Sequence, residues 1–99
     1  MFRLTLQPEA DQQLHDLEHD RNKKDLKKLG RVRKCLGLIE RNPRYPSLHS
    51  HKYVEKKGKN GEDVWESYVE NKAPTAWRVF WHYGPKSDEI TIVAITPHP

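Results

Sequence analysis

Three strand-like runs fill the last third of the chain, and only short turns separate them. They are rich in β-branched and aromatic residues and read VWESYVEN (64–71), AWRVFWHYG (76–84) and ITIVAIT (90–96). Turn residues lie between them, at 73–75 and 84–88. A parallel crossover needs about a dozen residues or more, so these short links force antiparallel neighbours. The sequence therefore predicts a three-stranded antiparallel meander.

The first part of the chain predicts one further strand and two helices. FRLTLQ (2–7) alternates apolar and polar residues, as a half-buried strand does. Pro8 suits a first helical position, Asn22 is a plausible cap for a second helix, and Asn42-Pro43 ends that helix. The expected fold is a single α+β domain over residues 1–99, ordered β-α-α-β-β-β. A helical hairpin packs on one face of a small, mainly antiparallel, curved sheet.

The charge balance favours polyanionic partners, although a solvated basic surface explains it equally well. Eighteen Lys and Arg against fourteen Asp and Glu give a net charge of +4. The segment 44–63 is basic, with a turn at Asn60-Gly61, and is predicted to be mostly loop. The single cysteine, Cys35, fits a core position in a reducing compartment. No signal peptide or membrane span is evident, so we expect a cytoplasmic protein.

Alternation along the predicted strands divides their side chains between two faces of the sheet. Trp77, Val79, Trp81 and Tyr83 should pack under the helices, together with Trp65 and Val69. The opposite, open face then carries Glu66, Tyr68, Arg78 and His82. A guanidinium beside a carboxylate and imidazoles suits phosphodiester chemistry. A water-facing surface with cross-strand ion pairs is the simpler alternative.

The last predicted strand is apolar on both sides. Alternation places Ile90, Ile92 and Ala94 on one face and Val93 and Ile95 on the other. This pattern predicts a central strand that is covered on both faces. Pairing should stop near Pro97, and the two flanking prolines stiffen the backbone around His98.

A metal site is a weaker hypothesis. His49-x-His51 places two imidazoles on one side of an extended segment, and His82 or His98 could add a third ligand. Carboxylates and cysteines at metal-ligand spacing are missing, and no glycine-rich phosphate loop or metalloprotease motif occurs. We therefore expect no metal and no cofactor.

The whole chain resembles the RelE/ParE superfamily of bacterial type II toxins. The stretches that carry the resemblance are LHSHKY, VWESYVEN, AWRVFWHYGP and ITIVAITPHP. The resemblance implies a concave sheet face as the active surface and neutralisation by a cognate antitoxin protein. RelE-type members cleave mRNA without a metal, often on the ribosome. ParE-type members inhibit DNA gyrase and need no nuclease site.

The resemblance also suggests roles for individual residues. His98 matches a near-terminal catalytic imidazole, although Pro99 follows it where some members have tyrosine. Arg78 would stabilise the phosphate and the transition state, and Glu66 would be a base or an orienting carboxylate. Tyr68 would position the substrate. Basic side chains would hold the RNA backbone, and these are Lys52, Lys56, Lys57 and His82.

The leading functional prediction is a metal-independent endoribonuclease toxin that acts on mRNA, with the ribosome as an associated partner. The reaction would be attack of a ribose 2′-OH on the adjacent phosphate. Two alternatives stay open at this point: a ParE-like gyrase inhibitor without nuclease activity, and an inactive relic that only binds an antitoxin.

Overall fold

The computed structural model of the chain describes residues 1–19, 23–71 and 76–97. The predicted cap Asn22, the turn at 73–75 and the predicted catalytic residue His98 lie outside these ranges. Two helices and five strands form the structure, with a short 3-10 turn at Pro46–Leu48. Their bounds are β1 (Arg3–Leu6), α1 (Pro8–His19), α2 (Lys23–Arg41), β2 (His51–Lys57), β3 (Asp63–Tyr68), β4 (Trp77–Tyr83) and β5 (Glu89–Pro97).

The strands form one mixed sheet in the order β1-β5-β4-β3-β2. β1 runs parallel to β5, and all other neighbours are antiparallel. Both helices lie on one face, so the predicted α+β class and the predicted meander are confirmed. The loop predicted for residues 44–63 is wrong in part, because His51–Lys57 forms a strand that pairs with β3. This strand extends the sheet by one member at its edge.

The main core lies between the two helices and the sheet. α1 contributes Ala10 and Leu17, and α2 contributes an apolar stripe at helical spacing that consists of Leu29, Val32, Cys35 and Ile39. Cys35 is buried as predicted, and its burial raises the pKa of the thiol to about 12, so the thiol stays protonated. Over the residues described, neither helix combines the length and apolar character needed to cross a bilayer.

A β-bulge in β5 changes which of its side chains reach the core. Phe80 pairs with Ala94 but Trp81 pairs with Ile92, so Val93 is an extra residue between these pairs. The alternation predicted from the sequence is therefore wrong after this point: Ala94 joins Val93 on the open face, and Ile95 packs with the helices. The predicted central position of β5 is confirmed by its place between β1 and β4.

β1 ends at Leu6, opposite Ile92, so the second half of β5 lies beyond the reach of β1. The backbone N–H of Ile95, a fully buried residue, donates instead to Oε1 of Gln13 on α1 at 2.6 Å. A side chain of the helix thus takes the place of a neighbouring strand. This bond fixes α1 against the sheet at the point where the strand pairing ends.

We expect Gln13→Ala to lower the free energy of unfolding by about 1–3 kcal/mol, because it leaves a buried N–H without an acceptor. Denaturant unfolding followed by circular dichroism measures this. Gln12→Ala is the matched control, since Gln12 is exposed and its amide bonds only to Asp16 within the same helix. Equal losses for the two variants would contradict this role of Gln13.

Candidate active site

The open face of the sheet, which is the face away from α1 and α2, gathers the polar side chains predicted for it. Glu66 pairs across the strands with Phe80, and Tyr68 pairs with Arg78. Phe80 belongs to a small apolar cluster that is separate from the core under the helices. Because directly paired residues share a face, Glu66, Tyr68 and Arg78 lie together on this side.

Glu66 is buried and hydrogen-bonded to a histidine that was not assigned a catalytic role from the sequence. His51, the first residue of β2, lies opposite Glu66 in the sheet. Its Nε2 is 2.8 Å from Glu66 Oε1, and its Nδ1 is 2.8 Å from the carbonyl oxygen of His49. The Glu66 side chain is 3% exposed, whereas that of His51 is 47% exposed. The pair therefore joins a buried carboxylate to an imidazole that solvent can reach.

The hydrogen-bond partners of His51 determine how many protons the pair holds. A carbonyl oxygen can only accept, so Nδ1 of His51 must carry a proton. The hydrogen bond between Nε2 and the carboxylate needs one more proton, which resides on either atom. The pair is thus either an imidazolium with a carboxylate or a neutral imidazole with a carboxylic acid. In both forms one proton is shared along the bond.

The backbone of His49 is in a conformation that only a minority of residues adopt. Its φ of 48° and ψ of 39° lie in the left-handed region, which costs a residue with a side chain roughly 1–3 kcal/mol. This conformation ends the 3-10 turn and accompanies the contact between its carbonyl and His51. The His49 ring lies 5.2 Å from that of Tyr68. A locally unfavourable backbone therefore fixes the proton position on His51.

Arg78 supplies a fixed positive charge next to this pair. Its Nη1 donates to the carbonyl oxygens of Glu70 and Trp77 at 2.6 and 3.0 Å. Its guanidinium stacks over Tyr68, with Cζ 3.7 Å from the ring centre. Nε lies 3.8 Å from Glu66 Oε2, within ion-pair distance but beyond a hydrogen bond. Tyr68 and two carbonyl groups thus hold the cation in place.

The Nε atom of Arg78 stands out within the part of the chain that the structure describes. It is the one buried side-chain nitrogen or oxygen there that makes no hydrogen bond. Buried polar groups are normally satisfied, and exceptions concentrate at functional sites. This unsatisfied donor on a buried cation, next to a carboxylate, therefore marks Arg78 as a candidate functional residue.

Two serines anchor the start of β2. Trp81 Nε1 donates to Ser67 Oγ at 2.7 Å, and Ser50 Oγ donates to the carbonyl of Pro43 at 2.7 Å. Because the Ser50 hydroxyl proton is used, Ser67 must donate in the 2.6 Å contact between the two hydroxyls. This chain of three bonds runs from the buried indole to the loop after α2. Ser50 directly precedes His51, so the chain holds that histidine in position.

His82 also lies on the open face, four residues along β4 from Arg78. It is buried, its Nδ1 contacts the carbonyl oxygen of Tyr83 at 2.8 Å, and its Nε2 is 4.0 Å from Glu62. At about 3.3 Å per residue, it is about 13 Å along β4 from Arg78. It is two residues along β4 from Phe80, the cross-strand partner of Glu66, and its role in RNA binding stays a prediction.

The three lysines predicted to bind RNA do not share one face. Lys52 pairs with Trp65, and its ammonium lies 5.9 Å from that ring, which packs with the core under the helices. Lys52 and Lys57 both form ion pairs with Asp63. Lys56 lies on the open face, where it lines a cavity. A role in RNA binding stays a prediction for all three.

Within the described ranges, no group of three or more His, Cys, Asp or Glu residues is arranged to hold a metal ion. The two histidines of the His49-x-His51 pattern serve other purposes. One contributes its carbonyl group and contacts Tyr68, and the other is bonded to Glu66.

Comparison with known proteins identifies the fold. No family profile matches the chain, and no curated protein matches its sequence. Among solved structures, a YoeB/ParE toxin from Agrobacterium tumefaciens superposes with a TM-score of 0.71 at 8% identity, covering 99% of this chain and 100% of that one. A YoeB–YefM toxin–antitoxin complex from Staphylococcus aureus superposes with a TM-score of 0.65 at 16% identity, covering 100% of this chain and 99% of that one. An archaeal RelE–RelB complex from Pyrococcus horikoshii superposes with a TM-score of 0.64 at 15% identity, covering 97% of this chain and 93% of that one.

These matches run the full length of the chain at low sequence identity. The chain has the fold of the RelE, YoeB and ParE toxins. The resemblance to the RelE/ParE superfamily that the sequence suggests is thereby confirmed at the level of the fold.

The support of Arg78 generates a prediction about acid stability. Glu70, whose carbonyl holds Arg78, also binds Lys28 and Arg31 of α2 through its carboxylate. Burial raises the pKa of Glu70, but hydrogen bonds from Lys28 and the Trp77 N–H, with the charges of Lys28 and Arg31, more than offset this. The net effect lowers its pKa from the ordinary 4.5. Ionised Glu70 therefore stabilises the fold above that value, and the stabilisation is lost as the pH falls through the lowered pKa.

We expect Glu70→Gln to reduce the free energy of unfolding at pH 7 by about 1–2 kcal/mol and to make its decline below about pH 4.5 shallower. Denaturant unfolding between pH 3 and pH 7 measures both effects. Glu18→Gln is the control, because the pair of Glu18 with Arg33 is exposed. If Glu70→Gln leaves the acid profile unchanged, this account of Glu70 is wrong.

Proposed function

We propose that this chain is the toxin of a toxin–antitoxin system and acts as an endoribonuclease on mRNA. The observation that carries the proposal is the Glu66–His51 pair beside the fixed guanidinium of Arg78. A base, an acid and a cation are the groups that cleavage of an RNA phosphodiester requires. Their place on the open face of a RelE/YoeB-like fold supports the same conclusion.

The reaction is attack of a ribose 2′-oxygen on the adjacent phosphorus, which breaks the bond to the 5′-oxygen of the next nucleotide. In the ion-pair form, the Glu66 carboxylate takes the proton of the 2′-OH. The His51 imidazolium gives its Nε2 proton to the departing 5′-oxygen. The products are a 2′,3′-cyclic phosphate and a free 5′-hydroxyl. Proton transfer from Glu66 to His51 along their hydrogen bond then restores the starting state.

Arg78 acts on the phosphate. Negative charge grows on the non-bridging oxygens as the phosphorus becomes five-coordinate, and a guanidinium held in advance stabilises that charge. Stacking on Tyr68 keeps the plane of the guanidinium fixed. His98, assigned from the family resemblance, is the second candidate for the acid that protonates the leaving oxygen.

The proposed partners follow from the same similarity. RelE and YoeB are found with the antitoxins RelB and YefM in two of the matching structures. We therefore propose a cognate antitoxin for this chain as well. The proposed substrate is mRNA, with the ribosome as the site of cleavage, and the proposed compartment is the cytoplasm.

Substitution of each member of the site should slow cleavage strongly. We expect His51→Ala, Glu66→Gln and Arg78→Ala each to slow RNA cleavage by about 10²–10⁴-fold, the usual contribution of an acid–base or charge-stabilising group. Mapping of mRNA 5′ ends after brief induction detects cleavage in cells. Cleavage of the same mRNA in vitro, with and without purified ribosomes, measures the rates. Circular dichroism and thermal unfolding verify that each variant is folded.

The controls are His15→Ala and Arg33→Ala, since both residues are exposed on the helices. His98→Ala tests the alternative acid: if it slows cleavage while His51→Ala does not, the acid is His98. Intact transcripts together with altered DNA supercoiling would overturn the ribonuclease proposal in favour of gyrase inhibition. Full toxicity of all four folded site variants would also overturn it.

A further inference from the structure

A cavity of about 320 Å³ opens on the same face of the sheet as the candidate active site. Its lining comes from β2, β4 and β5 and from the first turn of α1. The lining residues are Glu9, Tyr53, Glu55, Lys56, Phe80, Ala94 and Thr96. None of these residues except Lys56 was assigned a role from the sequence.

The cavity adjoins the Glu66–His51 pair. Phe80, in its wall, is the cross-strand partner of Glu66, and the Cβ atoms of such partners are about 5 Å apart. Tyr53 lies two residues beyond His51 on β2. Adjacent phosphates of a nucleic-acid strand are separated by several ångströms, so a group bound in the cavity belongs to the nucleotide at the cleaved phosphate or its neighbour.

The cavity wall is aromatic and apolar. The rings of Tyr53 and Phe80 meet edge to face, with centroids 5.0 Å apart and planes at 62°. Phe80 packs with Val64, Val93 and Ala94 in the small apolar cluster of the open face. Single-stranded RNA is recognised mainly by stacking unpaired bases on aromatic side chains. The wall therefore suits the flat face of a nucleobase.

The charges at the rim exclude a phosphate from this cavity. Glu9 and Glu55 contribute two negative charges and Lys56 one positive charge, a net charge of −1. A phosphate would be repelled here, whereas the cation Arg78 attracts one a few residues away. The occupant is a neutral group that offers hydrogen-bond donors to carboxylates, because ionised carboxylates can only accept.

The hydroxyl of Tyr53 completes the rim. It donates to Oε2 of Glu55 at 3.2 Å, which links that carboxylate to an aromatic ring of the cavity. Partial burial, together with the neighbouring Glu55 and Glu66 charges, raises the pKa of Tyr53, so its hydroxyl stays protonated and remains a donor.

We propose that this cavity binds the base of a guanine nucleotide next to the cleaved phosphate, with Glu55 as the residue that determines specificity. The inference rests on the proposed ribonuclease function. Guanine alone among the four bases presents two adjacent donors, N1–H and the 2-amino group, which match the two oxygens of a carboxylate. Its O6 and N7 acceptors suit an ammonium such as that of Lys56. Adenine and cytosine offer only an amino group to the same carboxylate, and uracil offers only its N3–H.

Binding of uncleavable RNA tests the proposal separately from catalysis. Fluorescein-labelled trinucleotides with 2′-fluoro substitution lack the attacking hydroxyl, and four of them differ only in the central base. With the full-length protein, we expect the guanine trinucleotide to bind at least about tenfold more tightly than the other three, since one good paired contact gives that discrimination. Fluorescence polarisation measures the dissociation constants.

Glu55→Gln should remove the preference for guanine while leaving binding of the adenine trinucleotide within about twofold, because the amide offers one acceptor instead of two. Tyr53→Leu should weaken all four by a similar factor, through loss of stacking. Glu18→Gln, on the exposed surface of α1, is the matched control. Both Glu55 and Tyr53 are at least partly exposed, so these variants are expected to fold.

Equal affinity for all four trinucleotides, or an unchanged guanine preference in Glu55→Gln, overturns the proposal. Protection of residues 53–56 by the antitoxin in hydrogen exchange, with no RNA binding, also overturns it and assigns the cavity to that protein. Cleavage of mRNA without a guanine preference would refute the specificity while sustaining the ribonuclease. Preferential binding of guanine without any cleavage of mRNA would sustain the specificity and refute the ribonuclease function.

Discussion

Burial of Trp81 determines the arrangement of the whole open face. The indole is fully buried, stacks against Trp65 with ring centres 5.7 Å apart, and donates its N–H to Ser67. A one-residue slip of β4 would move this ring to the opposite face and expose it. With Trp81 fixed toward the helices, Arg78 and Phe80 must point to the open side. Ser67 directly follows Glu66 and bonds to Ser50, which directly precedes His51. One buried tryptophan thus connects the core to both members of the acid–base pair.

Alternation along single strands was sufficient to predict which residues share the open face, because β3 and β4 are regular where they meet. Glu66, Tyr68 and Arg78 lie together as predicted. Alternation failed where a strand carries an extra residue. The bulge at Val93 reverses the predicted faces of Ala94 and Ile95, and the strand carries no Gly or Pro near that point to mark it. A bulge of this kind depends on the partner strand, so a single-strand pattern does not reveal it.

The pairing of His51 with Glu66 could not be predicted from the sequence for a similar reason. Lys57 pairs with Asp63 next to the hairpin turn, and continuing that register would place Val54 opposite Glu66. An irregularity between Lys52 and Lys57 shifts the register by three residues and brings His51 there instead. The shift also explains why Glu55 and Lys56, adjacent in sequence, both line the open-face cavity. The turn at Asn60-Gly61 was predicted correctly, but the register of the two strands that it joins changes between Lys52 and Lys57, away from the turn.

A buried carboxylate such as Glu66 costs stability unless charges and donors surround it. Here Arg78 lies within ion-pair distance of Glu66, and its Nε is a buried donor that makes no hydrogen bond. An apolar residue at position 66 would avoid this cost, which agrees with the catalytic role proposed for Glu66. The charge near it is uneven. Arg78 is a buried cation, whereas the open-face cavity is lined by Glu9, Glu55 and Lys56, a net charge of −1. A phosphate favours a nearby cation and a neutral base does not need one, so under the proposed ribonuclease function this difference places the phosphate of a nucleotide toward Arg78 and its base toward the cavity.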